Sequence, residues 1–155
     1  MTTVLIVDDD PVFLSALEAL LVSAEYTVLT AITGGEAVDL LEKKHSEIAL
    51  AIIDLALPDI NGFEIIGALS RRPNPIKILA TTGAFKDTHL EMAGSLGAHA
   101  AIRKPAPGRA LVEREWLETV AQLVGKPNSE RRANAASAHG TPDKEEGTNG
   151  SDTDH

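Results

Sequence analysis

The sequence predicts an α/β fold, a doubly wound five-stranded parallel sheet with five helices. Short apolar runs alternate with longer helix-period segments through residues 1–124. Two of the runs, IALAIID (48–54) and IKILATT (76–82), are almost continuously apolar, as parallel strands covered on both faces should be. The alternation continues to the end of that region with no internal repeat, which is the order of an open sheet with helices on both sides.

The elements follow in chain order. TVLIV (3–7) is the first strand. A helix begins near Pro11, a residue suited to a first helical turn, with Asp10 as its N-cap. Phe13, Leu14, Leu17, Leu20 and Leu21 form its apolar stripe. TVLTAI (27–32) is the second strand, and TGGE then opens the second helix. Thr33 and Glu36 have capping-box spacing, with Ala37, Val38, Leu40 and Leu41 on the apolar side. The third strand, 48–54, is followed by a helix from Gly62 to Leu69. The fourth strand, 76–82, leads into a helix from Asp87 that stops at Gly97. AHAAIR (98–103) is the last strand. The fifth helix spans 108–124, with Val112, Trp116, Leu117, Val120, Leu123 and Val124 on its apolar side.

Composition narrows the function. The chain has 155 residues and no cysteine, which excludes disulfides and thiolate metal sites and suits a reducing compartment. A formal charge of −9 argues against general nucleic-acid binding, which needs a basic face. No basic leader precedes the first apolar run, and no segment approaches the roughly 18 apolar residues of a membrane span. The expected location is the cytoplasm, away from the membrane. Residues 1–124 form the expected domain. Beyond Gly125 the only apolar residue type is Ala, so 125–155 is expected to be a disordered tail.

Ligands of open parallel sheets bind at the carboxyl ends of the strands, and the polar residues gather at those ends. Asp8, Asp9 and Asp10 follow strand one, and Asp54 ends strand three. Thr81 and Thr82 end strand four, and Lys104 with Pro105 follows strand five. Crowded carboxylates raise one another's pKa unless a cation neutralises them. Oxygen ligands without His or Cys favour a hard ion, Mg²⁺. Asp8, Asp9 and Asp54 against Mg²⁺ and Lys104 sum to zero charge, so the site can accept a phosphoryl group. Asp54 is suited as nucleophile, forming an aspartyl phosphate, with metal, ammonium and Thr hydroxyl on the equatorial oxygens.

VLIVDDDP (4–11), DLALPDING (54–62), TTGA (81–84) and RKPA (103–106) together resemble the receiver domain of two-component response regulators. The resemblance covers residues 1–124 and implies the flavodoxin-like receiver fold. It implies that Asp54 is the phosphoacceptor for a phosphohistidine on a sensor histidine kinase or histidine phosphotransfer protein. It also implies Mg²⁺ ligation by Asp8, Asp9, Asp54 and the backbone carbonyl of Ala56, with Lys104 pairing the phosphoryl group and Thr82 moving to bond it. Thr82 is preferred to Thr81 because the family's switch hydroxyl precedes a small residue, here Gly83. The chain would then be a signalling phosphoprotein that assists only its own phosphorylation and dephosphorylation. Too little sequence follows Lys104 for a DNA-binding output domain, so a stand-alone receiver is expected, signalling by contact with a downstream protein or by phosphorelay. The resemblance places docking on the fourth helix, fifth strand and fifth helix, whereas the apolar stripe around Trp116 points that side chain to the core.

The chain departs from the family pattern at Leu57, where Met is usual, and at Ala106, where Phe follows Lys-Pro. The usual aromatic switch residue is replaced by Ala101; Phe85 reads first as a packing residue, with substitution for the missing ring as the alternative. Ala56 and Ala84 flank the approach of water to the phosphoryl group and are expected to influence its lifetime. An alternative reading is an Mg²⁺-dependent phosphatase of the haloacid-dehalogenase type. That chemistry wants an acid two residues after the nucleophile, where Ala56 stands. A flavodoxin-like cofactor binder would need a phosphate loop where the three aspartates are. His45, His89, His99, His139 and His155 share no ligand spacing and read as surface or packing residues.

Overall fold

A computed structural model of the chain describes residues 1–83 and 87–126. The strands are β1 (Thr3–Val7), β2 (Thr27–Ala31), β3 (Ile48–Asp54), β4 (Lys77–Thr82) and β5 (Ala100–Arg103). Helices α1 (Pro11–Ser23), α2 (Gly34–Lys44), α3 (Gly62–Ser70), α4 (Asp87–Leu96) and α5 (Glu113–Val124) alternate with them. All pairings are parallel, in the order β2-β1-β3-β4-β5. The chain thus steps from β1 to β2 on one side, then crosses to β3 on the other. That reversal opens a crevice at the carboxyl ends of β1 and β3.

Side chains alternate across each strand and fill two cores. Leu5, Val7, Ala51, Ile53, Ile78 and Ala80 pack on the side of α2, α3 and α4. Val4, Ile6, Leu50, Ile52 and Leu79 face α1 and α5, meeting Leu17, Leu21, Trp116 and Val120. Double coverage explains why β3 and β4 read as unbroken apolar runs.

The expected caps form. Asp10 accepts from the N–H groups of Val12 and Phe13 at 3.0 and 3.4 Å. Thr33 Oγ1 accepts from Glu36 N–H at 3.1 Å. The reciprocal bond differs from a capping box, because the Glu36 carboxylate takes the N–H of Ile32, one residue before the cap. Ile32 therefore leaves the sheet, and β2 ends at Ala31. At Gly62 a Cβ would collide with the carbonyl oxygen of Asp54 and stand 2.8 Å from Leu55 Cα. The helix start packs directly on the strand tip that carries Asp54, and only glycine fits.

Three element starts shift as well. β4 starts at Lys77, one residue late. β5 starts at Ala100, because His99 uses its ring to continue the pairing: Ile78 N–H donates to His99 Nδ1 at 3.1 Å, and His99 N–H donates to the Ile78 carbonyl at 2.8 Å. α5 starts at Glu113, not at 108. Pro107 and the positive φ of Gly108 (83°) keep this stretch out of a helix. Val112 becomes the cap position and is 62% exposed, so it leaves the apolar side on which its spacing put it. Trp116 is buried in the core, as its stripe predicted. The expected tail falls, from residue 127 on, outside the described residues, as do Ala84, Phe85, His139 and His155.

Candidate functional site

Three backbone bonds carry the strand register one residue past the sheet and set the site. Asp8 N–H donates to the Ala31 carbonyl at 3.1 Å, Leu55 N–H to Thr81 at 2.9 Å, and Lys104 N–H to Thr82 at 2.8 Å. Asp8, Asp54 and Lys104 are thereby brought to neighbouring tips although 96 positions separate Asp8 from Lys104.

Lys104 Nζ donates to Asp8 Oδ2 at 2.9 Å and Oδ1 at 3.2 Å, and stands 3.5 Å from Asp54 Oδ2. Asp8 Oδ1 also accepts from Asp10 N–H at 2.9 Å. Asp54 Oδ1 accepts from Ala56 N–H at 3.0 Å, which leaves Oδ2 toward the ammonium. Asp9 is exposed, yet one carboxylate oxygen from each of Asp8, Asp9 and Asp54 lies within 4.8 Å of the others. His residues join no such cluster among the described residues.

The electrostatics follow from burial and crowding. Burial, with the charges of Asp8 and Asp9, pushes Asp54 up to about 6, against the Ala56 N–H and Lys104. Burial also raises Asp8, and the Lys104 and Asp10 hydrogen bonds only partly offset it. For Lys104 burial favours the neutral amine, but the Asp8 hydrogen bond and the charges of Asp54, Asp8 and Asp10 prevail and hold it above the usual lysine value. Two buried acids thus share one ammonium, with the Asp9 carboxylate beside them. Closely spaced hard oxygens with a deficit of positive charge fit a divalent ion such as Mg²⁺.

Thr81 and Thr82 are both buried, and neither hydroxyl has a hydrogen-bond partner. An unsatisfied buried hydroxyl is costly, so each is available to an incoming acceptor. Thr81 stands opposite Asp54 in the β3–β4 register; Thr82 is one residue nearer the edge, its carbonyl holding Lys104. Ala101 is exposed on β5 and carries no ring.

Two participants were not legible in the sequence. Phe13 reads there as one more core residue, but the Lys104 ammonium lies 4.8 Å from its ring centroid. Asp59 reads as a turn residue, but its two carboxylate oxygens take the N–H groups of Gly34 and Gly35 at 2.8 and 2.9 Å. This ties the loop after Asp54 to the start of α2 and holds the Asp59 carboxyl below the usual range.

An acidic crevice with one ammonium thus lies at the reversal point of a doubly wound parallel α/β sheet. The model of the response regulator receiver domain matches residues 4–115, and the chain belongs to that family of two-component signalling domains. It is 30% identical over 114 residues to the response regulator SaeR of Staphylococcus aureus, a match covering 74% of this chain and 49% of that protein. The chain therefore spans about half the length of the curated relatives it matches. The crystal structure of a CheY-like receiver domain protein from Methanospirillum hungatei superposes with a TM-score of 0.68 at 30% identity, covering 79% of this chain and 92% of that one. Chemotaxis response regulator CheY4 of Vibrio cholerae gives a TM-score of 0.69 at 26% identity, covering 79% and 98%. No helix among the described residues is long and apolar enough to cross a membrane.

Proposed function

We propose that this chain is a cytoplasmic receiver that accepts a phosphoryl group on Asp54 from a sensor histidine kinase or histidine phosphotransfer protein. The observation that carries the reading is the placement of Asp54 Oδ2, which faces the Lys104 ammonium at 3.5 Å while Ala56 N–H holds the other oxygen. One carboxylate oxygen is fixed and the other is presented beside a cation.

In the forward step the ionised Asp54 oxygen attacks phosphorus. The P–N bond of the phosphohistidine breaks, its electron pair stays on the imidazole nitrogen, and the products are an aspartyl phosphate and a histidine that regains its proton from water. Lys104 follows the new negative charge from Asp8 toward the phosphoryl oxygens. A hydroxyl from strand β4, assigned to Thr82, donates to one of those oxygens. Hydrolysis by water returns phosphate and the Asp54 carboxylate. Asp8, Asp9, Asp54 and the Ala56 carbonyl would hold Mg²⁺, which when bound supplies the positive charge that phosphoryl transfer requires. The protein assists its own modification and turns over no separate substrate.

Output passes to a downstream protein by contact, or onward by phosphorelay, with no direct nucleic-acid contact. Met92, 51% exposed, and Leu96, one turn on, leave apolar surface on α4, which supports docking on the face of α4, β5 and α5. Incubation with acetyl phosphate and Mg²⁺, read by intact mass, tests the acceptor. Wild type should gain one phosphoryl group and Asp54→Ala none; equal modification of both would refute the assignment. EDTA should abolish the gain.

A further inference from the structure

The Lys104 ammonium rests against two acids and one ring. Its Nζ lies 4.8 Å from the Phe13 ring centroid, inside the range of about 6 Å over which a cation is drawn to an aromatic ring. Solvent screens this contact little: the Lys104 side chain is 12% exposed and Phe13 is 7% exposed. Phe13 also meets Trp116 edge-on, with centroids 5.5 Å apart and planes at 63°. Trp116 belongs to α5 and is 1% exposed. An unbroken line of contacts, Asp54–Lys104–Phe13–Trp116, therefore runs from the tip of β3 into the last helix.

We infer that Phe13 is a positioning residue for Lys104, and that its contact with Trp116 transmits the state of Asp54 to α5. The inference rests on the reading of Asp54 as phosphoacceptor. A phosphoryl group there replaces the single charge of the carboxylate by close to two negative charges on its oxygens, beside an ammonium that is now bonded mainly to Asp8. The ammonium moves toward them, and its attraction to the ring changes with that movement. The ring has room to respond. A surface pocket of about 190 Å³ borders Phe13, Lys104, Pro105 and Leu111, so the ring is not enclosed on that side as it would be in a fully packed interior. β5 offers no comparable link, since Ala101 is small and exposed.

The chain contains one tryptophan, so its fluorescence reports Trp116 alone. The test treats wild type, Phe13→Leu and Phe13→Tyr with acetyl phosphate and Mg²⁺. Intact mass gives the phosphorylated fraction and emission gives the Trp116 response. In wild type the emission should change in proportion to that fraction. Per phosphorylated molecule, the change should fall by about threefold or more in Phe13→Leu, which keeps apolar bulk but loses the ring face. Phe13→Tyr, which keeps the ring, should restore most of it. Emission that stays constant while wild type becomes phosphorylated overturns the inference and leaves the acceptor reading intact, and this arm needs no variant to fold. An equal response in Phe13→Leu overturns it as well. Absence of any mass gain in wild type removes the acceptor reading and this one with it.

Discussion

Lys104 is bonded more closely to Asp8 than to Asp54, at 2.9 Å against 3.5 Å. Before phosphorylation the ammonium thus neutralises a carboxylate assigned to the metal, not the one assigned to accept phosphorus. The pairing leaves the ammonium farther from Asp54, whose pKa is raised by burial and by the charges of Asp8 and Asp9.

Removing the ammonium should therefore unsettle the fold before it affects chemistry. Breaking a buried ion pair by deleting one partner typically costs about 3–5 kcal/mol. Lys104→Ala should melt earlier than wild type in EDTA, and Mg²⁺ should recover much of the loss. Thermal melts with and without Mg²⁺ check this; equal melting of both proteins in EDTA would contradict it.

Asp54 gives a pH dependence of definite sign. Its folded pKa of about 6 lies above the ordinary carboxylate value of 3.8, so its contribution to stability is fully present below pH 4 and is lost as pH rises through 6. With about 1.4 kcal/mol per unit, the loss is on the order of 3 kcal/mol. Metal-free Asp54→Asn should be more stable than wild type at pH 7–8, and the gain should vanish near pH 4. Urea melts across that range measure it. A gain independent of pH would mean that the charge of Asp54 is not its source.

Asp9 separates metal affinity from folding. It is exposed and is absent from the ion pairs that hold Lys104, so Asp9→Ala should change stability in EDTA by no more than about 0.5 kcal/mol. The same substitution removes one of three clustered carboxylates and should weaken Mg²⁺ binding by about tenfold or more. Calorimetric titration with MgCl₂ decides; unaltered affinity would place the ion elsewhere.

Gly62→Ala should be damaging out of proportion to its size. The added methyl must displace the Asp54 carbonyl or the Leu55 backbone, and overpacking of this kind costs about 1–3 kcal/mol. Because the displaced atoms belong to the tip of β3, the rate of modification by acetyl phosphate should fall together with stability. Urea melts and a mass time course report the two effects.

His99 should make the β4–β5 edge sensitive to acid. Its Nδ1 accepts the Ile78 N–H only while unprotonated, and partial burial, with the charge of Lys77, lowers its pKa below 6.5. Its contribution is present above pH 6.5 and is lost as pH falls through the lower folded value. The residue as a whole is exposed, so the effect is small. The stability difference between wild type and His99→Leu should shrink between pH 7 and pH 5 in urea melts.

Each strand and helix announced itself locally, as did the caps at Asp10 and Thr33. Pro11 after Asp10, Thr33 before Gly-Gly-Glu, and the apolar runs of β3 and β4 are short-range signals, because caps and strand alternation involve residues a few positions apart. The acidic and basic tips were legible for the same reason: a strand that ends in a charge places it at the edge of the sheet. The late start of α5 was missed, because the apolar spacing continued through Val112 while the backbone at Gly108 had already left the helical region.

The sequence alone determined the layered sheet and brought Asp8, Asp9, Asp54, Thr82 and Lys104 to its carboxyl edge, since the succession of strands and helices and the polar residues that end each strand are written in local patterns. Only the tertiary structure decided that Lys104 leans on Asp8, that Phe13 lies against that ammonium and Trp116, that Asp59 holds the start of α2, and that His99 completes a strand with its ring. These partners lie 21 to 103 positions apart. Their meeting depends on how helices rotate and pack over the sheet, a balance of many weak contacts that no short stretch of sequence contains.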